Sequence, residues 1–532
     1  MAMKEAPAVT TRADGRKLWE HAFERFAVKV YVPAQELPDD IINYGFEAPY
    51  LIVLEEKPRT ASEAAAWADG NGLASIAARY GGSVVFVSPT AADGWKSADE
   101  SLFAELIANS KIHQYHKDGY VTLRNRFTGG TEGYCIRGAI FRTYVYGYGT
   151  SADYIAKNLL KTVNGEFLWG PGEITPAVCI LEKLSVIPQP ERRDIPIVSI
   201  GNTTAVNKAF ADSCDKLLTR ARADYVWEFD TFVRRYRRWC GNTEIETVLS
   251  EIGMVREENF AILQTSPDNN GDDRGTEEHR VGYVAYYNKD LFNNGPVPLV
   301  LTFHGGGDSA MYIANISGWY RIANRYNFLL VSIEDHLNST ATEMVALIDR
   351  LAARYSINRS RVYASGFSMG GCKSWDLFQE YPGVFAGLAP MDATFEVGLN
   401  SYGKPAPCEI NRDVPVPLFY TGGEITPLPE LPFQADKCWD RIRYVFGVNR
   451  VKKPYDVTFE GRENWPNQIW GVDGDRVEKI YDPTRDSTLT LHYFDSEDGV
   501  CRTVLGSISG QGHECRQHTC EQAWLFLSQF SR

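Results

Sequence analysis

The chain of 532 residues is long enough for two or three domains, and its 44% hydrophobic and 23% charged residues are typical of globular proteins. Its net charge of −13 argues against nucleic-acid or anionic-membrane partners, because phosphate groups bind to basic surfaces. No apolar run approaches the roughly 20 residues that span a bilayer, and residues 1–17 lack the apolar core of a signal peptide. We therefore expect a cytoplasmic location by default, or secretion if a signal was removed. The ten cysteines include no CxxC pair, which argues against a zinc ribbon and leaves the disulfide state open.

The first half of the chain alternates short apolar runs with helix-length segments, as α/β domains do. Residues 50–54 and 195–200 are strand-like runs, and residues 71–80 and 144–150 are two further windows that recur in the second half. A basic, aromatic segment at 232–239 then leads to a predicted boundary, which divides the chain into domains at 1–241 and 242–532.

The second half has the same alternation. Apolar, strand-like runs occur at residues 298–303, 328–333, 361–365 and 416–420, and a helical pattern at 342–355. Four windows of the first half align with these in the same order; the best pairs residues 71–80 with 317–326, where five positions are identical. This order favours a duplicated α/β unit over generic similarity between α/β segments.

The sequence Gly366-Phe-Ser-Met-Gly370 is a G-x-S-x-G motif. A predicted strand precedes it and a predicted helix follows it at 372–381, which is the setting of a nucleophile elbow. The two glycines suit a turn too sharp for a Cβ atom. Ser368 is therefore the candidate nucleophile.

A glycine run, His304-Gly-Gly-Gly307, directly follows the strand at 298–303. Glycines at this place allow backbone N–H groups to point into a site. We predict an oxyanion hole formed by Gly306, Gly307 and the N–H of Met369; the alternative is an ordinary flexible turn.

The general base should follow the nucleophile in the chain, which leaves three histidines. His513 lies in a glycine-flanked loop before an apolar helix, a place that gives a base the reach it needs. His518 is a weaker candidate, and His492 lies in an alternating strand pattern at 488–494.

The acid that orients the base is expected after the strand at 416–420. Glu424 lies just beyond that strand and is the preferred candidate. Asp436 and Asp392 are the alternatives, the latter just after the preceding strand.

On these motifs, residues 296–532 resemble the α/β-hydrolase fold, and within it the polyhydroxybutyrate depolymerase-like and feruloyl esterase-like serine esterases. The resemblance is carried by the glycine run, by residues 355–371 and 381–386, and by Gly510-Gln-Gly-His513. It implies a mostly parallel sheet flanked by helices, Ser368 as nucleophile, His513 as base and an acid after the seventh strand. The acid segment departs from the commoner His-Gly-x-x-Asp form.

The first half resembles a degenerate copy of the same fold. Gly149 takes the place of Ser368, and Glu55-Glu-Lys-Pro58 replaces the glycine run. No histidine occurs between His116 and His279, so no base follows this elbow. We predict a non-catalytic α/β-hydrolase-like domain.

An insertion at about 438–490 interrupts the second domain, and we expect it to be lid-like. Trp465 and Trp470 in it could stack on a ring of the substrate, or else anchor the insertion. Met311 and Tyr312, beyond the glycine run, are further candidates to line the cleft.

Together these features predict a serine carboxylester hydrolase that forms an acyl-enzyme with a small aryl or short-acyl ester, feruloyl-like or polyester-like, free or polymeric. A serine peptidase or amidase with the same triad and a non-catalytic binding or scaffold protein are the alternatives. We expect no cofactor or metal, and neither nucleic acid nor membrane as a partner.

Overall fold

The computed structural model describes residues 9–11, 15–34, 42, 47–108, 122–124, 131–134, 138–167, 170–225, 228–239, 242–483 and 485–532. The chain divides into two compact units, with the main boundary between Val248 and Leu249. The boundary expected from the sequence, at 241, lies outside the described residues. Within those ranges, none of the helices has the length and apolar character needed to cross a membrane.

The first unit has a nine-stranded sheet in the order β1-β2-β3-β5-β4-β8-β11-β12-β13, and three two-stranded hairpins, β6–β7, β9–β10 and β14–β15. Its strands are β1 Val9–Thr11, β2 Lys17–Ala22, β3 Phe26–Val32, β4 Tyr50–Leu54, β5 Ser83–Pro89, β6 Thr122–Arg124, β7 Thr131–Tyr134, β8 Thr143–Tyr148, β9 Asn164–Phe167, β10 Gly170–Glu173, β11 Val178–Glu182, β12 Ile197–Ile200, β13 Leu217–Arg220, β14 Tyr236–Trp239 and β15 Asn242–Ile245. Its helices are α1 Ala61–Gly70, α2 Leu73–Tyr80, α3 Glu100–Ala108, α4 Thr150–Asn158 and α5 Thr204–Ser213.

The second unit has a ten-stranded sheet in the order β16-β17-β19-β18-β20-β21-β22-β25-β24-β23. Its strands are β16 Met254–Gln264, β17 Glu278–Asn288, β18 Val297–Phe303, β19 Leu329–Ile333, β20 Ile357–Phe367, β21 Gly387–Met391, β22 Leu418–Gly423, β23 Arg476–Asp482, β24 Ser487–Asp495 and β25 Cys501–Ile508. Its helices are α6 Ala310–Ile316, α7 Trp319–Tyr326, α8 Ala341–Arg354, α9 Met369–Glu380, α10 Asp436–Val448 and α11 Gln517–Leu527.

Eight strands of each sheet, β2 to β13 in the first and β16 to β25 in the second, correspond in order and direction. β2 and β3 of the first unit pair antiparallel like β16 and β17 of the second, and β3–β5 is antiparallel like β17–β19. The next five pairings are parallel in both, from β5–β4 and β19–β18 to β12–β13 and β22–β25. The predicted fold class, two α/β domains in tandem with mostly parallel sheets, is confirmed.

The elements of the second unit form where local sequence and burial agree. β18 and β19 are buried along nearly their whole length, as central parallel strands are. Helix α8, predicted at 342–355, begins with a capping box in which Thr340 and Glu343 satisfy each other's backbone N–H groups. Its apolar side and that of α9 pack into the core, which fixes α9 behind the end of β20.

Candidate active site

A sharp turn joins β20 to α9 and holds Ser368. β20 ends at Phe367 and α9 begins at Met369, so Ser368 is the single residue between them, with φ 54° and ψ −119°. A Cβ atom on Gly366 would overlap the carbonyl group of Gly370, and one on Gly370 would overlap that of Phe303. Glycine is therefore required on both sides of the turn.

His513 lies in the loop between β25 and α11, and its imidazole faces the turn. Its Nε2 atom is 2.9 Å from Ser368 Oγ. The ring of Phe367 packs against the imidazole with 4.8 Å between centroids. The other two candidate bases lie elsewhere: His518 belongs to α11, and His492 lies on β24, where Nδ1 accepts the N–H of Gly474 and burial lowers the pKa.

The carboxylate against His513 is that of Glu430, a residue that the sequence analysis did not consider. Its Oε1 is 2.5 Å from His513 Nδ1 and also accepts a 2.9 Å hydrogen bond from the Thr426 hydroxyl. The Glu430 side chain is 1% exposed, so solvent weakens the interaction between this carboxylate and the imidazole little.

Glu424, the residue preferred from the sequence as the acid, does not contact His513 in the structure. The backbone N–H of Glu424 still bonds to Ile508 beside β25, and its side chain accepts the Ser507 hydroxyl at 2.8 Å. A loop follows Glu424, and the carboxylate that contacts the imidazole is that of Glu430, six residues further along the chain. Asp436, one of the alternatives, lies in the first turn of α10, where its carboxylate accepts the N–H of Lys437. A second carboxyl group within the same loop was the only sequence signal for Glu430.

Asp392, the other alternative, lies behind Glu430. It follows β21 directly and is buried, with φ 49°. Its carboxyl group accepts the N–H of Gly423 at 3.1 Å. Burial, and then the charge of Glu430, raise the pKa of Asp392 well above its ordinary value.

The glycine run lies next to the turn, as an oxyanion loop requires. A Cβ atom on Gly306 would be 3.2 Å from Cγ of Met369, and Gly307 has φ 88°. His304 ties this loop to the residue after β19: its two ring nitrogens lie 2.7 Å from the carbonyl oxygens of Gly305 and Glu334.

The four residues expected to contact substrate are buried instead. Met311 is 0% and Tyr312 7% exposed, on helix α6. Trp465 donates from Nε1 to the carbonyl of Thr458, and Trp470 is fully buried in the core. The two indoles therefore anchor the insertion and are not available to stack on a ligand. The insertion itself contributes the edge strand β23.

Three exposed apolar side chains lie on the segments that carry Ser368 and Glu430, and the sequence analysis named one of these residues, Met369, for its N–H alone. Met369 follows Ser368 directly; Ile425 and Leu428 lie in the loop that leads to Glu430. Their exposed fractions are 38%, 67% and 48%. The N–H of Ile425 bonds to the carbonyl of Gln511, so this loop is tied to the one that carries His513.

The equivalent turn of the first unit, between β8 and α4, keeps its shape without a nucleophile. Gly149 has φ 58° and ψ −122°, close to the values at Ser368. A Cβ atom there would overlap the carboxylate of Glu56, whose Oε1 accepts the N–H of Thr150 at 3.3 Å. Ser151 is buried, and its hydroxyl donates to the carbonyl of Leu54.

Comparison with known proteins agrees with the motifs. The chain is 29% identical over 119 residues to a bifunctional acetylxylan esterase/xylanase of Neocallimastix patriciarum (21% of this chain, 18% of that protein). It is 28% identical over 113 residues to poly(3-hydroxyalkanoate) depolymerase C of Paucimonas lemoignei (18% and 27%). It thus spans less than a third of either relative. No protein-family model matches.

Solved structures similar to the chain include two hydrolases. An acetyl xylan esterase from Aspergillus awamori is 12% identical with a TM-score of 0.32, over 51% of this chain and 99% of that one. An S-formylglutathione hydrolase from Staphylococcus aureus is 15% identical with a TM-score of 0.27, over 36% and 86%. The curated relatives are an esterase and a polyester depolymerase, and the resemblance to α/β-hydrolase esterases is confirmed.

Proposed function

We propose that this chain, which resembles the α/β-hydrolase esterases, is a serine carboxylester hydrolase whose catalytic groups are Ser368, His513 and Glu430. The observation that carries the proposal is the 2.9 Å approach of His513 Nε2 to the Ser368 hydroxyl, with a buried carboxylate on the opposite nitrogen. This is the arrangement that turns a serine hydroxyl into a nucleophile.

The reaction runs in two halves. Ser368 Oγ attacks the ester carbonyl while His513 Nε2 takes its proton, and the negative oxygen that results is held by N–H groups of the glycine run and of Met369. The C–O bond to the alcohol breaks as His513 returns the proton to the leaving oxygen. Water then attacks the acyl-enzyme, again through His513, and releases the acid and the free serine. Glu430 keeps Nδ1 protonated and stabilises the imidazolium in both halves.

The surroundings of Ser368 support an apolar acyl or aryl group in the substrate. Met369 next to Ser368, and Ile425 and Leu428 in the loop that leads to Glu430, expose apolar surface, and exposed apolar surface favours apolar ligands. The named substrates of the curated relatives, acetylxylan and poly(3-hydroxyalkanoate), are short-acyl esters and a polyester. We therefore favour feruloyl-like, acetyl or polyester-like substrates, with the first unit taking no part in the chemistry.

A labelling and kinetic experiment tests the proposal. A fluorophosphonate probe should label the wild-type chain at Ser368, and Ser368→Ala should lose the label and lower turnover of p-nitrophenyl acetate by about 10⁴-fold or more. His518→Ala is the matched control for His513→Ala: the first should keep activity and the second should not. Lack of labelling in the wild type would refute the proposal and favour a binding or scaffold protein.

The choice between ester and amide needs matched substrates. An acyl p-nitrophenyl ester and the p-nitroanilide of the same acid differ only in the leaving group. A kcat/KM that favours the anilide, after correction for the intrinsic reactivity of each, would replace the esterase with a peptidase or amidase.

A further inference from the structure

Two buried cysteines follow His513 closely in the chain, and the proposed reaction uses neither. Helix α11 begins at Gln517 with Arg516 as its N-cap, so Cys515 directly precedes the cap and Cys520 is the fourth residue of the helix. Side chains at these two positions meet at the start of many helices, where they are usually apolar. Here their Sγ atoms lie 3.6 Å apart. The fold therefore brings two thiols into contact at the first turn of α11.

The composition of the chain makes this contact notable. A buried cysteine can pack as a small apolar group, so packing alone would account for one of the two. Cysteine accounts for only 10 of the 532 residues, however, so two cysteines would rarely fill both positions of one helix by chance. Cys515 is 3% and Cys520 0% exposed, and the sulfur of Met391 lies 3.9 Å and 3.7 Å from their Sγ atoms. A bond between them would thus be shielded from reductants in solution once the chain has folded.

We propose that Cys515 and Cys520 form a disulfide when the chain folds under oxidising conditions, and that this bond ties the loop of His513 to helix α11. A disulfide needs an S–S separation of about 2 Å, so each sulfur moves by about 0.8 Å, which a small rotation about each Cα–Cβ bond supplies. Met391, against which both sulfurs pack, accepts the N–H of Ser368 through its carbonyl. The crosslink therefore lies beside the supports of both proposed catalytic groups, but it goes beyond the proposed hydrolysis and does not depend on it.

The oxidant is a small disulfide such as oxidised glutathione. The thiolate of one cysteine attacks it, forms a mixed disulfide and releases one glutathione thiolate; the thiolate of the second cysteine then attacks the cysteine sulfur of that mixed disulfide and releases the other. Two protons and two electrons leave the chain, and the oxidant becomes two thiols. In the folded chain the hydrogen bond to Cys520 and burial raise the pKa of Cys515 well above its ordinary value, which makes the thiol unreactive. The exchange therefore belongs to folding, before the two sulfurs are covered.

The sequence offers a direct test, because trypsin cleaves between the two cysteines. Cleavage after Arg502 and Arg516 gives the peptides 503–516 and 517–532, each with a single cysteine. The chain is produced in the bacterial periplasm, its free thiols are blocked with N-ethylmaleimide in denaturant, and it is digested without reductant. We expect mass spectrometry to find the two peptides linked, and to find them separate after reduction with dithiothreitol. The same chain from the bacterial cytoplasm should give both peptides alkylated and unlinked.

Thermal unfolding shows whether the bond supports the fold. The midpoint of unfolding of the oxidised chain should be about 3 to 8 °C higher than that of the same chain after reduction. Cys515→Ala and Cys520→Ala should each abolish this difference. Cys408→Ala is the matched control, because it removes an exposed thiol elsewhere and should keep the difference.

Three results would overturn the proposal. They are alkylated, unlinked peptides from the periplasmic chain, a link from either cysteine to a different one, and equal midpoints with and without reductant. None of these measurements requires hydrolysis. An inactive Ser368 would therefore leave the disulfide proposal standing, and a missing disulfide would leave the proposed function standing.

Discussion

The replacement of Glu430 by glutamine tests the assignment of the acid most directly. The pair of His513 and Glu430 is short, at 2.5 Å, and the carboxylate is almost fully buried, so water cannot take its place. Glutamine removes the charge that stabilises the imidazolium and can turn an N–H toward Nδ1, which favours the wrong tautomer. We expect kcat to fall by about 10³- to 10⁴-fold, or about 4 to 5.5 kcal/mol at roughly 1.4 kcal/mol per factor of ten.

Glu424→Gln is the matched control, because it makes the same change six residues away. The amide oxygen of glutamine can still accept the hydroxyl of Ser507, so kcat/KM should stay within about threefold of the wild type. The assay is p-nitrophenyl acetate hydrolysis at pH 8, with thermal unfolding to verify the fold of both variants. A large loss in Glu424→Gln together with a small one in Glu430→Gln would refute the assignment.

Three further predictions concern the two turns and the half-buried carboxyl group of Asp335. Gly366→Ala forces a Cβ atom into a carbonyl group and should lower the free energy of chemical unfolding by about 3 kcal/mol or more. Gly383 has open space around it, so the control Gly383→Ala should change that free energy by less than about 1 kcal/mol. Equal effects would contradict the packing argument. Burial and neighbouring acids raise the pKa of Asp335 to about 7, so ionisation of this group lowers the stability of the fold as pH rises from about 4 to 7. Asp335→Asn should therefore leave the free energy of unfolding unchanged at pH 4 and raise it at pH 8 by up to about 4 kcal/mol. A gain at pH 4 would count against this cause. Gly149→Ser in a Ser368→Ala background should restore neither hydrolysis nor fluorophosphonate labelling, since no histidine between His116 and His279 is present to serve as its base; labelling at residue 149 would show that the first unit can act.

The sequence predicted the strands and the turn of the second unit well because these depend on local rules. Buried parallel strands are continuous apolar runs, and the sharp turn needs glycine at Gly366 and Gly370 whatever surrounds it. His513 was found because a loop after the last strand, rich in glycine, leaves few alternatives.

The acid and the substrate residues depend on tertiary contacts that the sequence does not contain. Glu424 follows β22 directly, but continued pairing beside β25 turns its side chain toward Ser507, and only the path of the loop brings Glu430 to the imidazole. Tryptophans such as Trp465 and Trp470 are common at binding surfaces, but whether they are exposed depends on how the insertion packs, and here both are buried.

The turn of the first unit has the backbone of the proposed catalytic turn without its serine. The turn at Gly149 follows the same path as the one at Ser368, and Lys183 at the end of β11 has φ 56°, much as Asp392 has φ 49° after β21. A comparison of dihedral angles and strand order alone would therefore not distinguish the turns of the two units. Side chains at a few positions make the difference, so a search by backbone geometry would find two such turns in this chain, although only the one at Ser368 has a histidine against a serine hydroxyl among the described residues.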